Sequence, residues 1–269
     1  MRITYAVCLL CAILLFIGCQ PSGDATAEKA PAKVEQPKAA NPYVAALETA
    51  HQAERFHQKE VVSLDLELNF GGKPYAQATI VSRTNSSKIH VTRSDGATTL
   101  FDGQDVWLSP DTADWPSARF DIFTWQYFFQ VAYKLSDPGT KWELLGRDSL
   151  DGKVYELGKL RFSSGTGDAP DDWYLLFQDP ETKLIHAMAY IVTYSRSQEE
   201  AEKSPSLIVY SDYEEVEGIP FPMSWTFYKW NEAEKSTGKK RGFGKVSKLQ
   251  FEEEKATTFA MIKGKKMDK

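Results

Sequence analysis

Histidine and acidic side chains are the residues of this sequence that could carry out acid–base or metal chemistry. The chain has four histidines: His51, His57, His90 and His186. None of them belongs to an HExxH motif or to a close cluster with acidic residues. The acidic runs 171–172 and 252–254 are typical of solvated surface, because consecutive strand residues point to opposite faces. The sequence therefore predicts a non-enzymatic protein with no metal site, cofactor or catalytic residue.

Nucleophile and phosphate-binding motifs lead to the same prediction. No Gly-x-Ser-x-Gly, P-loop or dinucleotide fingerprint occurs. The three cysteines are Cys8, Cys11 and Cys19. Because no cysteine follows residue 19, no disulfide can stabilise the domain, and its stability must come from packing.

The first eighteen residues have the pattern of an export signal. Arg2 precedes the apolar run 6–17 (AVCLLCAILLFI), which is shorter than the roughly 20 residues that span a bilayer as a helix. The run ends at Gly18 and Cys19, and the chain then becomes polar. We therefore predict a signal peptide rather than a transmembrane helix.

The segment 16–19 (FIGC) resembles the lipobox that bacterial lipoprotein signal peptidase recognises. This resemblance implies that residues 1–18 are removed and that Cys19 carries acyl chains, of which two or three anchor a protein stably. The alternative is an ordinary secretory signal with an incidental cysteine. Gln20, rather than Asp, follows the cysteine, which resembles the sorting signal for the outer membrane. The implied location is the cell envelope, lipid-anchored at the outer membrane and facing the periplasm.

The composition limits the classes of partner and indicates the domain organisation. The net charge is −5 and the sequence pI is about 5.5, so no basic field favours nucleic acid. Residues 20–40 contain no aromatic residue and are rich in Pro, Ala, Lys and Glu, which is typical of a flexible linker. The predicted organisation has four parts: a signal peptide at 1–18, the acylated cysteine and linker at 19–40, one β-domain at 41–262 and a charged tail at 263–269.

Short alternating segments dominate the domain and predict an antiparallel meander. In 61–70 the apolar residues repeat at every second position, as in a strand with one covered face. Helical spacing after Asn41 and Pro42 predicts a helix over 43–58. The segment 120–135 contains neither Gly nor Pro and is apolar on almost all sides, which predicts a buried helix. The predicted strands are 61–70, 75–83, 88–93, 98–101, 105–108, 141–147, 154–162, 173–178, 185–194, 207–216, 223–230 and 244–251.

Aromatic side chains are the candidates for a binding function. They could line a lipid-sized cavity under a curved sheet, or they could form an ordinary solid core. In a cavity, apolar burial would drive binding, worth about 0.8 kcal/mol per methylene. The candidates are Trp107, Phe123, Trp125, Phe128, Phe129, Tyr133, Trp173, Phe177, Trp225 and Phe227.

Three segments carry a family resemblance. The segment 88–107 joins a strand to the turn and strand DGQDVW, the segment 173–182 is a strand followed by an Asp-Pro turn, and 213–222 is the hairpin YEEVEGIPFP. In this order they resemble the LolA/LolB-like superfamily of outer-membrane lipoprotein carriers and receptors, over about residues 41–262. The resemblance implies a mainly β (α+β) fold: a curved antiparallel half-open β-barrel with helices plugging the open side and an interior that holds acyl chains.

These observations lead to one functional hypothesis and two alternatives. The hypothesis is a membrane-anchored bacterial lipoprotein that binds lipid, or the acyl chains of lipoproteins, in an apolar cavity without catalysis. The first alternative is a structural or interaction lipoprotein with a solid core, which docks an envelope protein. The second is an enzyme using loop residues near Trp115 or Gly165, for which the sequence shows no constellation.

Overall fold

The computed structural model describes residues 41–268. The predicted signal peptide 1–18, the acylation site Cys19 and the linker 20–40 lie outside the described residues. Among residues 41–268, no helix is long and apolar enough to cross a membrane.

One antiparallel sheet of 13 strands forms the framework of the described chain. It does not close, and it has the shape of a curved half-open β-barrel whose edge strands are β13 and β6. The spatial order is β13-β5-β4-β3-β2-β1-β12-β11-β10-β9-β8-β7-β6, so β1 and β12 meet in the middle and most other neighbours are successive hairpin strands. The strands are β1 Val61–Phe70, β2 Lys73–Arg83, β3 Ile89–Arg93, β4 Thr98–Phe101, β5 Val106–Ser109, β6 Thr140–Leu150, β7 Lys153–Phe162, β8 Tyr174–Gln178, β9 Ile185–Tyr190, β10 Ser206–Val216, β11 Ile219–Lys229, β12 Lys240–Glu252 and β13 Lys265–Met267.

The helix predicted over 43–58 is two shorter helices. Helix α1 (Pro42–Ala50) begins after Asn41, whose side chain accepts a hydrogen bond from the amide of Tyr43, and α2 covers Ala53–His57. The break is at Gln52, which has a left-handed conformation with φ +55°. This break lets both helices bury residues, Leu47 from α1 and Phe56 from α2, against the same interior.

The buried helix predicted over 120–135 is confirmed, but it begins two residues earlier and ends before residue 135. Helix α3 covers Ala118–Gln130, and a 3-10 turn at Val131–Tyr133 continues it. The helix packs against β3, β4 and the core of the barrel, and it buries residues around most of its circumference. A short fourth helix, α4 (Gln198–Glu202), opens with a capping box between Ser197 and Glu200.

Three hydrophobic clusters stabilise the described residues. The largest fills the inner side of the sheet beneath α1, α2 and α3. A second covers the outer face of β7 to β10, where α4 contributes Ala201 and the residue after β11 contributes Trp230. A third joins Val61 and Leu100 to Phe259 on the segment after β12. Both faces of the sheet are therefore packed over much of their area.

The C-terminal residues add a strand to the sheet. Residues 263–269 were expected to follow the domain as a charged tail, but Lys265–Met267 form β13, and Lys266 pairs with Trp107 of β5. Lys265 and Lys266 are both exposed, while the backbone of β13 pairs with β5 and covers its edge.

Candidate functional site: a cavity beside helix α3

A cavity of about 560 Å³ lies beside α3, between strands β3 and β4 on one side and strands β6 to β8 on the other. Helix α3 supplies one wall with Phe120, Phe123 and Tyr127. The opposite walls come from β3 and β4 on one side, and from β7 with the loop 163–172 on the other. The volume falls within the range of about 300–1,000 Å³ that is usual for small-molecule sites.

The apolar lining of the cavity is largely aromatic. Phe101 of β4 meets Phe123 edge to face with ring centroids 5.0 Å apart. The ring centroid of Tyr127 lies 5.2 Å from that of Tyr174 and 6.4 Å from that of Phe162. These rings come from a helix and three strands, so the sheet and α3 together hold the apolar wall in place.

One rim of the cavity carries a chain of polar contacts. Gln126 donates to the Ser86 hydroxyl at 2.6 Å, and that hydroxyl donates to Gln130 at 3.0 Å. Lys134 approaches the same hydroxyl at 3.3 Å and pairs with Asp137 at 2.6 Å. This rim can offer an ammonium group and amide groups to a polar ligand headgroup, while the aromatic wall takes an apolar chain.

At the other rim, Arg119 of α3 fastens the loop 163–172. Its Nε and Nη2 atoms donate to the two carboxylate oxygens of Asp168 at 2.7 and 2.9 Å, in a bidentate pair. Nη1 also reaches the carbonyl oxygen of Met267 in β13 at 3.4 Å. The side chain of Arg119 is only 6% exposed. This one guanidinium therefore connects the helix, the cavity loop and the edge strand β13.

Two further polar groups border the cavity. Asp172 is buried and accepts hydrogen bonds from the amide and hydroxyl of Thr193, both at 2.7 Å. Burial raises the pKa of its carboxyl, and the bonds from Thr193 partly oppose that rise. The hydroxyl of Tyr127 is buried without a hydrogen-bond partner among the described residues, and burial raises its pKa.

Another buried carboxylate, that of Asp121, organises the start of α3. Its carboxylate accepts hydrogen bonds from the indole groups of Trp115 and Trp125 at 2.7 and 2.9 Å. It also accepts from the hydroxyls of Tyr75 at 2.8 Å and Ser117 at 2.6 Å. These bonds tie the loop before α3 and strand β2 to the helix that lines the cavity.

The predicted aromatic candidates do not share one site. Phe123 lines the cavity. Six others belong to the packed inner cluster: Trp125, Phe128, Phe129, Tyr133, Trp225 and Phe227. Trp173 and Phe177 lie in the cluster on the outer face, and Trp107 is half-buried on β5, where its indole donates to Asp102 at 2.9 Å. Most of the predicted set therefore packs the interior of the domain.

The four histidines are dispersed. His51 is buried, and its Nε2 accepts a hydrogen bond from the amide of Ile185 at 3.1 Å; burial lowers its pKa to about 3. The ring of His186 stacks on Tyr155. Within residues 41–268, no group of three or more His, Cys, Asp or Glu side chains is arranged to hold a metal ion.

Sequence reasoning missed Arg119, Asp121 and Asp168. A signal was present for the first two, because Asp121 lies in the segment 120–135 predicted to be a buried helix and Arg119 directly precedes that segment. Buried charges are nearly always paired or hydrogen-bonded, so each required a partner. The partner of Arg119 was not visible, because Asp168 is 49 residues away in the chain.

Comparison with solved structures shows a LolA-like fold. A LolA superfamily protein from Nitrosomonas europaea superposes with a TM-score of 0.54 at 12% identity, covering 81% of this chain and 96% of that chain. A domain from Vibrio parahaemolyticus that is described as an outer membrane lipoprotein-sorting protein domain gives a TM-score of 0.50 at 9% identity. The match covers 81% of this chain and 97% of that chain. No protein-family model matches the sequence, and no curated protein matches it.

Proposed function

We propose that this chain is a membrane-anchored lipoprotein of the cell envelope that binds lipid, or the acyl chains of lipoproteins, without catalysing a reaction. The observation that carries the proposal is the cavity of about 560 Å³ with its aromatic wall. The LolA-like fold supports it, since a structural relative from Vibrio parahaemolyticus is described as a lipoprotein-sorting domain.

The chemistry of the cavity suits an amphiphile. Phe123, Phe101 and Phe162 offer apolar surface, where each buried methylene of a ligand contributes about 0.8 kcal/mol. Lys134 and Ser86 at the rim suit a polar headgroup. No step of binding requires a bond to be formed or broken.

The segment before the domain would place this cavity near a membrane. Acylation of Cys19 would anchor the chain, and the linker 20–40 would give a typical reach of roughly 25 Å if flexible. Gln20 supports the outer membrane, with the domain facing the periplasm.

Native mass spectrometry with lipid extraction tests the proposal. The protein is the chain from residue 19 with Cys19→Ser, made in the presence of membranes. Thr124 lines the cavity from α3, so Thr124→Trp should fill it. Thr92 is exposed on β3, so Thr92→Trp is the matched control. We expect lipid to co-purify with the parent and the control, and to be largely lost from Thr124→Trp.

A structural or interaction role with a solid core is the second candidate. The inner cluster favours it, because its rings stack closely: Phe56 on Tyr133 at 3.8 Å and Phe129 on Phe221 at 5.4 Å between centroids. A folded parent that carries no lipid and refuses added fatty acids or lipopeptides would contradict the binding proposal and favour docking of an envelope protein.

A further inference from the structure

Two polar groups in the wall of the cavity have hydrogen-bonding capacity that the domain does not use. The first is the hydroxyl of Tyr127 on α3, which lines the cavity and is buried without a partner among residues 41–268. Buried polar groups in native proteins are nearly always hydrogen-bonded, so each exception needs an explanation. For a hydroxyl in the wall of a ligand cavity, the ligand itself can supply the acceptor.

The second group is the carboxylate of Asp172, at the end of the loop 163–172. Its Oδ1 atom accepts both hydrogen bonds from Thr193, at 2.7 Å each. The hydroxyl of Tyr174 is 3.5 Å from Oδ2, whereas a hydroxyl that donates to a carboxylate usually lies at about 2.5–2.7 Å. Burial raises the pKa of this carboxyl, and the charge of Arg196 is the weakest of the opposing influences. The Oδ2 atom therefore keeps most of its capacity to accept a hydrogen bond.

Asp172 also differs from the other carboxylates that line the cavity. Asp168 pairs with Arg119, and Asp137 pairs with Lys134. Among residues 41–268, Asp172 has hydrogen bonds but no ion pair. A buried carboxylate without a cation is stabilised by each hydrogen bond that it accepts. A donor on a ligand would therefore complete the surroundings of Asp172.

The two groups lie in one part of the cavity. Tyr174 connects them, because its ring centroid is 5.2 Å from that of Tyr127 and its hydroxyl is the one that approaches Asp172. Burial raises the pKa of Tyr127, and the charges of Asp137 and Asp172 raise it further. Tyr127, Tyr174 and Asp172 all line the cavity. The wall thus offers one donor and one acceptor beside its aromatic surface.

A secondary amide has the hydrogen-bonding groups that match this wall. Its carbonyl oxygen can accept from Tyr127 while its N–H donates to Asp172. An ester has no donor and leaves Asp172 desolvated without its further bond, and sites built around a ligand N–H discriminate strongly against analogues that lack it. A carboxylate can pair with Lys134 at the rim, but it brings no donor to Asp172. An ammonium group has no acceptor for Tyr127.

We propose that Tyr127 and Asp172 form a subsite for the amide of an N-acyl amphiphile, whose acyl chain lies along the aromatic wall. The hydroxyl of Tyr127 donates to the amide carbonyl, and the amide N–H donates to Oδ2 of Asp172. This inference rests on the proposed function, since it requires an acyl chain in the cavity. It adds that the cavity prefers an N-acyl ligand to an ester of the same chain.

Isothermal titration calorimetry with two matched probes tests the proposal on the delipidated chain from residue 19 with Cys19→Ser. The probes are N-methyldodecanamide and methyl dodecanoate, which differ only where N–H replaces the ester oxygen. In an apolar cavity without an acceptor for that N–H, the ester binds more tightly, because the amide gives up its hydrogen bond to water. We expect the opposite order, with the amide bound at least about tenfold more tightly.

Asp172→Asn exchanges the acceptor for a donor with little change of shape. The carbonyl oxygen of the new side chain can keep both bonds from Thr193, which leaves its NH₂ group to face the cavity. We expect this variant to reverse the preference, so that the ester binds more tightly than the amide. Asp171 is an exposed neighbour, so Asp171→Asn is the matched control and should keep the preference of the parent.

Tyr127→Phe removes the donor. The affinity for both probes should fall about fivefold, because both carbonyl groups lose the same hydrogen bond. The thermal midpoint should not fall, because the hydroxyl has no partner among residues 41–268. Tyr228 is half-buried beside the outer cluster, so Tyr228→Phe is the matched control and should bind both probes like the parent.

Three results would overturn the inference. The parent could bind the ester as tightly as the amide, or Asp172→Asn could keep the preference for the amide. Tyr127→Phe could also lower the thermal midpoint, which would assign the hydroxyl a structural partner. In each case a parent that still binds dodecanoyl chains leaves the proposed function standing, whereas a folded parent that binds neither probe contradicts both.

Discussion

Removing the carboxylate of Asp168 should release the cavity loop 163–172 while the rest of the domain stays folded. Asp168 holds Arg119 through two hydrogen bonds, and the guanidinium side chain is only 6% exposed. Leaving a buried charge without its partner costs about 3–5 kcal/mol. The loop lies at the surface, so the domain can avoid most of that cost by detaching the loop and hydrating Arg119. We expect loop opening in Asp168→Ala to become easier by about 3 kcal/mol, or roughly 100-fold.

Hydrogen exchange measured by mass spectrometry or NMR can detect this opening. Three loop amides are protected by backbone bonds: Ser163 donates to Gly139 at 2.8 Å, and Thr166 and Asp172 donate within the loop, both at 3.1 Å. These amides should exchange roughly 100-fold faster in Asp168→Ala. Strand β8 should keep its protection. Asp171→Ala is the matched control, since Asp171 is an exposed neighbour.

Two outcomes would refute this reasoning. Unchanged protection in the loop would show that the ion pair does not hold it. An equal loss of protection in the loop and in β8 would show that the pair supports the whole domain. Asp168→Asn, which keeps one hydrogen-bond acceptor, should fall between the parent and the alanine variant.

Three stability predictions follow from other contacts. Asp121→Ala leaves four donors without their acceptor and should lower the free energy of unfolding by about 3 kcal/mol in urea titration. The exposed control Asp111→Ala should change that free energy by less than about 0.5 kcal/mol. Equal effects of the two substitutions would contradict the stabilising role of Asp121. Burial lowers the pKa of His51 from 6.5 to about 3, so the unfolded chain takes up the proton first and stability is lost from pH 6.5 down to about 3. The advantage of the parent over His51→Gln at pH 7 should therefore shrink by about 2 kcal/mol at pH 5, and a constant difference would contradict the shift. Gly158→Ala places a methyl group against the ring of Tyr43 and should lower the thermal midpoint through a loss of about 1–3 kcal/mol, whereas an unchanged midpoint would contradict that contact.

Strand prediction worked where one face of the sheet is covered and turns are marked by Gly, Asn or Asp. The strands 61–70 and 98–101 have their predicted bounds, and the other predicted strands occur with shifts at their ends. Strand 185–194 ends early, at Tyr190, because the chain there leaves β9 to reach Asp172 through Thr193. The alternation of apolar and polar residues determines which side chains share a face of the sheet. The positions of the strand ends depend instead on tertiary contacts.

The break between α1 and α2 had no comparable signal. The left-handed residue is Gln52, and neither Gly nor Pro marks the position. The helical spacing continues across it, so propensity favours one helix. Tertiary packing decides otherwise, because Leu47 and Phe56 both reach the interior only when the chain bends.

The aromatic side chains show where sequence reasoning about the site stops. A residue that lines a cavity and one that fills a core have the same polarity and size, so their types cannot separate Phe123 from Phe128. Strand β8 is buried at every position, which removes the alternation that would assign Phe177 to one face. The cavity depends instead on how far α3 lies from the loop 163–172, and the pair between Arg119 and Asp168 joins these two segments.

Photo-crosslinking with a diazirine-bearing fatty acid tests the central claim, that the cavity beside α3 holds an acyl chain. The label is activated on the folded chain from residue 19 with Cys19→Ser, and the modified peptides are located by mass spectrometry. The account predicts labelling within α3, at residues 118–130, and within the loop 163–172, both suppressed by Thr124→Trp. Labelling confined to other surfaces, or labelling that Thr124→Trp leaves unchanged, would contradict it.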